Sequence, residues 1–389
     1  MRILLTIHDN FDPHSGAAGS TYRLGEQYRN LGHEVFFYSK SDLPNLGKHV
    51  EQVLFPEFVA ARIAKLDRQT GLDVVDSSPG DIWFWLNISR ILGKHRPLCV
   101  TRSHGLHHLA HDWVLDETRR GNLKLSWMYP LYRGSFQLWE VGNSVRNADS
   151  VFLLNREERD YVIEHLGVHP EQAHIFPNGI TGTFLDLPFE PLPQDPNATI
   201  RIAQISTYIS RKGIQYGSPA LQTILRRYPN VEVSFLGVGC TDLAHPEAVV
   251  YADFDPALHH RIRVVPRYTQ ETLPMLLKGH HIKLFPSLSE GFGKALVEAM
   301  ACGLAPVTTN VAGPMEVVRD GHDAIVVPTH NQEAIEQALD QLLTDRIYLE
   351  RLRQNAYATA QQFSWLHIAQ ARLTCYEEAI QKKAYYGSR

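Results

Sequence analysis

The sequence predicts an α/β protein of two domains, each built around a parallel sheet with helices on its faces. The chain has 389 residues, more than a single hydrophobic core usually supports, and 44% of them are hydrophobic, which is enough for two cores. Short continuous apolar runs, typical of buried parallel strands, alternate with helical spacing in both halves of the chain. A proline-rich stretch over residues 188–196 lies between the two series, and we interpret it as the linker.

The first half opens with a β-α-β unit. A strand is predicted over residues 2–7, a helix over residues 21–31 and a second strand over residues 34–38. The loop after the first strand, HDNFDPHSGAAGST, contains glycines that let a phosphate approach the backbone. Its spacing is not the G-x-G-x-x-G of dinucleotide-binding proteins, so the sequence disfavours dinucleotide binding.

The second half repeats this alternation. It begins with a strand over residues 200–206 and the loop T-Y-I-S-R-K-G. Two strands, a helix and another strand are predicted next, over residues 231–236, 262–265, 271–278 and 282–285. Beyond Pro328, two helices are predicted to close the chain, the last from about Trp365.

The most informative stretch is PSLSEGFGKALVEAMACGLAPVTTNVAGPMEVV, residues 286–318. A helix is predicted to begin near Gly293 or Lys294, with Glu290 in the loop before it and Glu298 on its second turn. The loop glycines admit a ligand to the backbone, and the N–H groups of a first helical turn lack intrahelical acceptors, so the loop suits a phosphate. With carboxylates placed to accept hydrogen bonds from a sugar and from a ribose, the pattern predicts a nucleotide-sugar site. The alternative is a capped amphipathic helix with two solvated glutamates.

The same motif, S-x-x-E-G-F-G-x-x-x-x-E-A-x-A-x-G, resembles that of the retaining glycosyltransferases of family four, or glycosyltransferase group 1. These enzymes have the GT-B fold, so the resemblance implies two Rossmann-like domains with parallel sheets that face across a cleft. It implies an acceptor domain over residues 1–180, a nucleotide-sugar donor domain over residues 181–364 and a C-terminal helix over residues 365–389 that crosses back to the first domain. On this resemblance Glu290 is catalytic, and donor-binding residues in the motif are Gly291, Phe292, Gly293, Lys294 and Glu298.

Three other landmarks add to the resemblance. The stretch PLCVTRSHG resembles the family's strand that ends in His-Gly, whose histidine faces the donor sugar, and this gives His104 a catalytic role. The family's paired glycines after the first strand fall on Ser15 and Gly16, so Gly16 is a predicted donor-binding residue. In the loop T-Y-I-S-R-K-G, Lys212 matches the family's catalytic lysine at the diphosphate.

The family's arginine at the diphosphate has no counterpart at its usual position, which falls on Thr207. Arg211, adjacent to Lys212, is predicted to bind the donor and to compensate in part for this loss.

The resemblance implies transfer of a hexosyl unit, with retention, from a UDP- or GDP-sugar to a hydroxyl of a saccharide, lipid-linked or small-molecule acceptor. It implies neither a metal nor a further cofactor, and a place in glycan or glycoconjugate biosynthesis. Two alternatives stay open: a sugar-nucleotide epimerase of the same fold, and a non-catalytic protein that binds nucleotide sugars.

Four histidines form a cluster in the first half. A continuous helix would place them on one face, at i, i+3, i+4 and i+7, as in a metal site: His104, His107, His108 and His111. Gly105 is expected to interrupt that helix, however, and the resemblance implies no metal. We therefore favour a role in shaping the acceptor side of the site.

Residues 119–146 interleave basic and aromatic side chains. Such a segment can bind a membrane interface, nucleic-acid bases or sugars. The interpretation favoured by the sequence is an ordinary amphipathic helix with buried aromatic residues. Nucleic acid is disfavoured because the formal net charge of the chain is -4.

The cellular setting is predicted from absences in the sequence. Cys99, Cys240, Cys302 and Cys375 are scattered without C-x-x-C spacing, as in proteins of a reducing compartment. No signal peptide and no apolar run long enough to span a bilayer is visible. We expect a cytoplasmic protein, with peripheral membrane contact left open.

Overall fold

The computed structural model describes residues 1–12, 16–45, 47–91, 96–239 and 245–387. The chain forms two compact units, Met1–Gly179 with Trp365–Arg389, and Ile180–Ser364. Within the described residues, each unit contains one parallel sheet of six strands with helices around it. The predicted α/β class is therefore confirmed.

The first unit is organised around a sheet with the strand order β2-β1-β3-β4-β5-β6. Its strands are β1 (Arg2–Ile7), β2 (Glu34–Ser39), β3 (Val74–Ser77), β4 (Leu98–Arg102), β5 (Ser150–Leu153) and β6 (Ala173–Ile175). Every neighbouring pair runs parallel. Consecutive residues Ile3, Leu4 and Leu5 of β1 are fully buried, because helices cover both faces of the sheet.

The helices of the first unit are α1 (Ala17–Asn30), α2 (Lys48–Thr70), α3 (Trp83–Ile91), α4 (His107–Arg119), α5 (Phe136–Asn147), α6 (Arg156–Leu166) and, after the second unit, a long final helix (Trp365–Gly387). The first and the final helix pack on one face of the sheet, where Tyr28 and Tyr376 share a hydrophobic core with Leu5. Helices α2 and α3 pack on the other face, against Leu4.

The second unit has the strand order β12-β11-β10-β7-β8-β9, again parallel throughout. Its strands are β7 (Ile200–Ile205), β8 (Val231–Leu236), β9 (Ile262–Val265), β10 (Ile282–Phe285), β11 (Ala305–Thr309) and β12 (Ile325–Val327). Its helices are α7 (Ile214–Arg227), α8 (Pro246–Ala252), α9 (Leu273–Leu277), α10 (Lys294–Ala301), α11 (Ala312–Met315), α12 (Gln332–Thr344) and α13 (Arg346–Ala360); the final helix of the chain is α14. Three helices thus follow Pro328 among the described residues, and not two as predicted.

Helix α1 begins at Ala17, earlier than the predicted start at Thr21. The hydroxyls of Ser20 and Thr21 donate to the carbonyls of Gly16 and Ala17, at 2.8 and 3.0 Å. Short polar side chains favour helix ends, but here they are satisfied within the first turn of the helix. The predicted boundary was therefore too late.

The proline-rich stretch over residues 188–196 is not a free linker, which corrects our interpretation. Leu192 is buried in the core of the second unit, and Arg353 of α13 donates to the carbonyl of Glu190 at 2.8 Å. Proline favours extended backbone, which suits a linker and also a strap packed across a helix. Composition alone could not distinguish the two.

The segment between α4 and α5 also differs from expectation. Residues 120–135 are irregular apart from a short 3-10 turn at Tyr129–Leu131, and Gly121 adopts a positive φ of 80°. Trp127 within this segment is 80% exposed, and Trp139 on the following helix α5 is 50% exposed. The predicted amphipathic helix with buried aromatic residues is therefore wrong for this segment.

Candidate functional site

The second sheet brings two loops together at one edge. Strand β7 lies between β8, which follows it in the chain, and β10, which comes later. The sheet therefore grows in opposite directions from β7, and open α/β sheets bind ligands at the carboxyl ends of the strands at such a switch point. The loops after β7 and β10 contain most of the predicted site residues.

Hydrogen bonds join these two loops directly. The backbone N–H of Leu288 donates to the carbonyl of Arg211 at 2.9 Å, and the Arg211 guanidinium donates to the carbonyl of Ser289 at 3.1 Å. A Cβ on Gly213 would lie 1.8 Å from the carbonyl oxygen of Pro286, and its φ is +69°. Only glycine permits this approach and this backbone conformation. The contact brings the predicted lysine and glutamate together.

Lys212 and Glu290, both predicted as catalytic, form an ion pair between Nζ and Oε2. Their side chains are 14% and 16% exposed, so the pair is partly desolvated and still open to solvent. Such a pair interacts more strongly than one on the free surface. A cation and a carboxylate thus lie in contact at the switch point of the sheet.

Glu298 lies on α10, which begins at Lys294 as predicted. It is 3% exposed, and its Oε1 accepts a hydrogen bond from the Gln270 amide at 2.6 Å. Burial raises the pKa of Glu298, while Lys294 and Gln270 oppose that shift. Glu298 is therefore a buried carboxylate held by a neighbouring loop, and not the solvated glutamate of the alternative interpretation.

The other residues of the motif loop contribute mainly through the backbone. Gly293 has a φ of +86° immediately before α10. Phe292 is buried, and its ring centroid lies 5.9 Å from that of Phe363, so its side chain belongs to the core. The N–H of Gly313 donates to the carbonyl of Glu290 at 3.0 Å, and a Cβ on Gly313 would lie 2.6 Å from the nitrogen of Phe292. The stretch from Glu290 through Gly291 to Phe292 is thus held in place by α11.

The structure adds one lysine that the sequence reasoning missed. Lys283 lies on β10 and is fully buried, and within the described residues its Nζ has no hydrogen-bond partner. The Nζ atoms of Lys283 and Lys212 lie 5.4 and 5.8 Å from the ring centroid of Phe285. Burial lowers the pKa of Lys283 well below its usual value, Lys212 adds to this, and Glu298 and Glu290 oppose it.

A separate cavity of about 310 Å³ lies in the first unit, at the carboxyl ends of β1, β3 and β4. Strand β1 pairs with both β2 and β3, so this is the switch point of the first sheet. Polar residues line much of it: His8, Asp9, Ser78, His104, His107 and Gln137.

Gly16 lies next to this cavity, before α1. Nothing lies within 4 Å of the position of a Cβ on Gly16, and its φ of -63° suits any residue. The adjacent Ser15 lies outside the described residues. Open space beside a helix start leaves room for a ligand but does not itself require glycine.

His104 is placed at the end of β4, as predicted. Gly105 follows with a φ of +122°, and α4 begins only at His107. In the described part of the chain the Nε2 atom of His104 is buried without a hydrogen-bond partner. Burial lowers the pKa of His104 well below its usual value, and Arg102 and Arg372 add to the shift. At neutral pH this imidazole is therefore uncharged.

His8 and Asp81 form a pair in the same unit that we did not predict. His8 Nδ1 lies 3.2 Å from Oδ1 of the fully buried Asp81, and Thr6 donates to the other carboxylate oxygen at 2.8 Å. The imidazole of His8 stacks on Phe55 at 4.6 Å between centroids. The pair could not be predicted from the sequence, because His8 is an isolated histidine at a strand end and Asp81 is far from it in sequence.

The four clustered histidines do not share one helical face, since His104 precedes α4. His111 Nδ1 lies 3.0 Å from the hydroxyl of Tyr129, and burial lowers the pKa of His107 to about 4. Among the residues that the structure describes, no three or more His, Cys, Asp or Glu side chains are grouped so that they could hold a metal ion.

Two family models match this chain in succession. "Glycosyltransferase Family 4" matches residues 14–181, and "Glycosyl transferases group 1" matches residues 190–359. The chain belongs to the group 1 glycosyltransferases. The resemblance inferred from the motif around Glu290 is thereby confirmed.

Curated relatives of this group 1 glycosyltransferase include the D-inositol 3-phosphate glycosyltransferase of Rhodococcus opacus (strain B4). That protein is 27% identical over 247 residues, which are 60% of this chain and 54% of the relative. One subunit of the human phosphatidylinositol N-acetylglucosaminyltransferase is 24% identical over 60% of this chain and 47% of its own length. The matches thus span about half the length of these relatives.

Solved structures establish the GT-B fold. Sucrose-phosphate synthase from Thermosynechococcus elongatus has a TM-score of 0.75 and 19% identity and covers 98% of this chain and 100% of its own. Anabaena HepE in complex with UDP-glucose has a TM-score of 0.68 and 17% identity over 97% of this chain and 100% of its own. At these identities the likeness shows the fold alone.

Cys99, Cys302 and Cys375 of the group 1 glycosyltransferase are free thiols, and Cys240 lies outside the described residues. None of the helices in the described ranges is both long enough and apolar enough to cross a bilayer.

Proposed function

We propose that this chain transfers a hexosyl unit from a nucleoside diphosphate sugar to a hydroxyl acceptor, with retention at the anomeric carbon and without a metal or further cofactor. The observation that carries the proposal is the ion pair of Lys212 and Glu290 at the switch point of the second sheet. Membership of the group 1 glycosyltransferases supports it. A cytoplasmic setting and a role in glycan or glycoconjugate biosynthesis remain predictions.

The ion pair suggests how the donor is held. A diphosphate that enters this edge of the sheet competes with Glu290 for the Lys212 ammonium, because a phosphate oxygen carries comparable negative charge. Once displaced, the Glu290 carboxylate can accept hydrogen bonds from hydroxyls of the donor sugar. The N–H groups at the start of α10 add partial positive charge near the diphosphate.

In the reaction itself, the bond between the anomeric carbon and the diphosphate oxygen breaks, and a bond to the acceptor oxygen forms on the same face. The acceptor hydroxyl loses its proton to the departing diphosphate. Lys212 would stabilise the charge that develops on the leaving group, which is where preorganised electrostatics contributes most to rate. Glu298 would hold the ribose hydroxyls, and His104 would act as a neutral hydrogen-bonding group for the sugar.

The function is tested by incubating the full chain with a panel of UDP- and GDP-sugars, UDP-glucose included, and a panel of hydroxyl acceptors. Release of the nucleoside diphosphate that depends on acceptor, with the product's anomeric configuration assigned by NMR, would support the proposal. Chelator should leave the rate unchanged. Conversion of the sugar nucleotide without acceptor would instead indicate an epimerase, and binding without turnover over the whole panel a non-catalytic protein.

Lys212→Ala should lower turnover by at least roughly a hundredfold, on the order of 3 kcal/mol in the barrier, because it removes the cation at the leaving group. The exposed Lys278, whose side chain is 67% exposed, supplies the control variant Lys278→Ala. Near-normal turnover in Lys212→Ala would mean that this loop does not bind the diphosphate.

Arg211→Ala should cost less than Lys212→Ala, since the Arg211 guanidinium is engaged with the carbonyl of Ser289. If the positions of Arg211 and Thr207 reach the same phosphate, Thr207→Arg should restore part of the turnover lost in Arg211→Ala. No rescue would assign Arg211 to bracing the loop and not to the donor.

A further inference from the structure

The segment over residues 119–139, which we name the basic-aromatic segment, combines positive charge with aromatic side chains. It contains four basic residues, Arg119, Arg120, Lys124 and Arg133, and no Asp or Glu, although the whole chain has a formal net charge of -4. This local excess of positive charge predicts attraction to an anionic surface.

The acidic residues that flank the segment in sequence offset part of this charge, that of Arg119 and Arg120. Glu117 and Glu140 are both buried, and burial raises the pKa of Glu140 to about 7. Asp116 is exposed and pairs with Arg119 at 2.7 Å. Arg120 lies 3.9 Å from the Glu117 carboxylate, whereas Lys124 and Arg133 are exposed and leave the segment cationic.

The same segment exposes large apolar side chains to solvent: Leu125, Trp127, Met128, Leu131, Phe136 and Trp139. Trp127 is 80% exposed and Leu131 is 64% exposed. Single exposed apolar residues are ordinary, but a group of this kind on one short segment marks an interaction surface.

Hydrogen bonds fix the backbone of the basic-aromatic segment, so the exposure of its apolar side chains is part of the folded structure. Tyr129 places its hydroxyl 3.0 Å from His111, and the Tyr132 hydroxyl donates to the Glu140 carboxylate at 3.3 Å. The N–H of Gly134 donates to the carbonyl of Tyr129 at 2.8 Å. The tyrosines anchor the segment inward while Trp127 and Leu131 stay outward.

We propose that the basic-aromatic segment docks this protein on the surface of an anionic membrane, with Trp127 and Leu131 inserted at the headgroup level and Lys124 and Arg133 on lipid phosphates. Tryptophan favours the interface between water and lipid, and cations near an anionic bilayer add to apolar insertion. A protein partner is less well matched, because it would need an acidic face for Lys124 and Arg133 directly beside an apolar one for Trp127 and Leu131.

The position of the basic-aromatic segment in the first unit would bring a docked membrane close to the cavity of that unit. Gln137, next to Phe136, lines the cavity that also contains His104, and His111 at the anchor of Tyr129 lies one turn along α4 from the cavity residue His107. A membrane at this surface would present a lipid-linked acceptor near that cavity. The docking itself does not depend on the proposed transfer reaction, so the two can fail separately.

The experiment is flotation of the full chain with vesicles of phosphatidylcholine alone and of phosphatidylcholine with phosphatidylglycerol. We expect binding to the anionic vesicles that weakens with added salt. Lys124→Gln and Arg133→Gln should each lower the affinity about fivefold, and Trp127→Ser at least about tenfold. Thermal unfolding checks that each variant is folded. We expect that it is, because the substituted side chains are exposed.

Matched controls lie on exposed sites of the second unit. Lys278→Gln removes an exposed cation, and Ile347→Ser removes an apolar side chain that is 86% exposed; both should bind vesicles like the unmodified chain. No binding to anionic vesicles at low salt, equal binding to both vesicle types, or unchanged binding of Trp127→Ser would overturn the proposal. Loss of self-association in Trp127→Ser, without vesicle binding by the parent chain, would assign the surface to a second copy of the chain and overturn it as well.

Discussion

Glu298 shows how one buried carboxylate can be prepared for a polar ligand. Its partner Gln270 neutralises part of the cost of burial by donating at 2.6 Å, but a carboxylate has capacity for further hydrogen bonds. A ribose with two adjacent hydroxyls would complete this set. The spacing between Glu290 and Glu298 could be read from the sequence, whereas the contact between Glu298 and Gln270 is visible only in the structure.

Glu298→Ala is therefore expected to weaken binding of the nucleoside diphosphate by about 1.5 to 3 kcal/mol, the scale of a charge-assisted hydrogen bond. Calorimetric titration of the variant against the parent measures this. Glu333→Ala, on the first turn of α12, is the control for general loss of a carboxylate. Equal affinity in the parent and in Glu298→Ala would remove the ribose role.

Lys283 leads to a prediction about stability. An amine buried without a hydrogen-bond partner costs the folded state about 1 to 3 kcal/mol, so Lys283→Met should raise the free energy of unfolding by that order at neutral pH. The folded state binds this proton less readily than the unfolded state, because burial lowers the pKa of Lys283. The parent's free energy of unfolding should thus rise with pH toward the unfolded lysine pKa of about 10.4, and the variant should lose that part of the slope.

Denaturant unfolding of the parent and of Lys283→Met, at neutral pH and at about pH 9, measures both effects. Lys278→Met is the matched control, since it removes an exposed lysine of the same unit. A variant less stable than the parent at neutral pH would show that the buried ammonium is charged and well paired.

At the scale of elements, the two loops at the second switch point depend on one close backbone contact. Gly213→Ala would place a Cβ 1.8 Å from the Pro286 carbonyl at a positive φ, so the loops after β7 and β10 must separate. We expect a loss of more than about 2 kcal/mol in unfolding free energy, by clash and backbone strain, together with loss of nucleotide binding. Chemical denaturation and nucleotide titration of the same variant test both parts.

Gly16→Ala provides the contrast within the chain. Its φ of -63° and the open space around it predict a stability within about 1 kcal/mol of the parent. If the donor approaches that backbone as the resemblance implies, the variant should still lose turnover. Unchanged stability with unchanged turnover would remove Gly16 from the donor site.

The elements themselves were predictable where a local signal was strong, as in β1 and in α10 with its preceding glycines. They were not predictable where tertiary contacts decide. The proline-rich stretch packs on α13 because Arg353 reaches the carbonyl of Glu190, and residues 120–135 keep an irregular backbone held by Tyr129 and Tyr132. His8, Asp81 and Lys283 were missed because the sequence does not reveal which distant residues bury or pair with them.

At the scale of the whole molecule, the path of the chain places its last helix in the first unit. Tyr376 of α14 is fully buried; its hydroxyl donates to Asp76 and lies 3.0 Å from the hydroxyl of Tyr28. Asp76 also pairs with the buried Arg102 at 2.6 Å. The first unit is thus completed by residues that follow the second unit in sequence, while the proposed diphosphate site belongs to the second unit.

This arrangement predicts that the two units respond to different perturbations. Tyr376→Phe keeps the ring but removes the hydroxyl that donates to Asp76, which should destabilise the first unit by about 1 to 3 kcal/mol. A nucleoside diphosphate that binds the second unit should stabilise that unit by mass action, roughly 2.7 kcal/mol at a hundredfold excess over its dissociation constant. Calorimetric scans of the parent and of Tyr376→Phe, each with and without nucleotide, separate the two effects. The substitution should lower the temperature of one unfolding transition, and nucleotide should raise the temperature of the other. The affinity for nucleotide should be the same in the parent and in the variant. A single transition that moves with both perturbations would show that the two units unfold together.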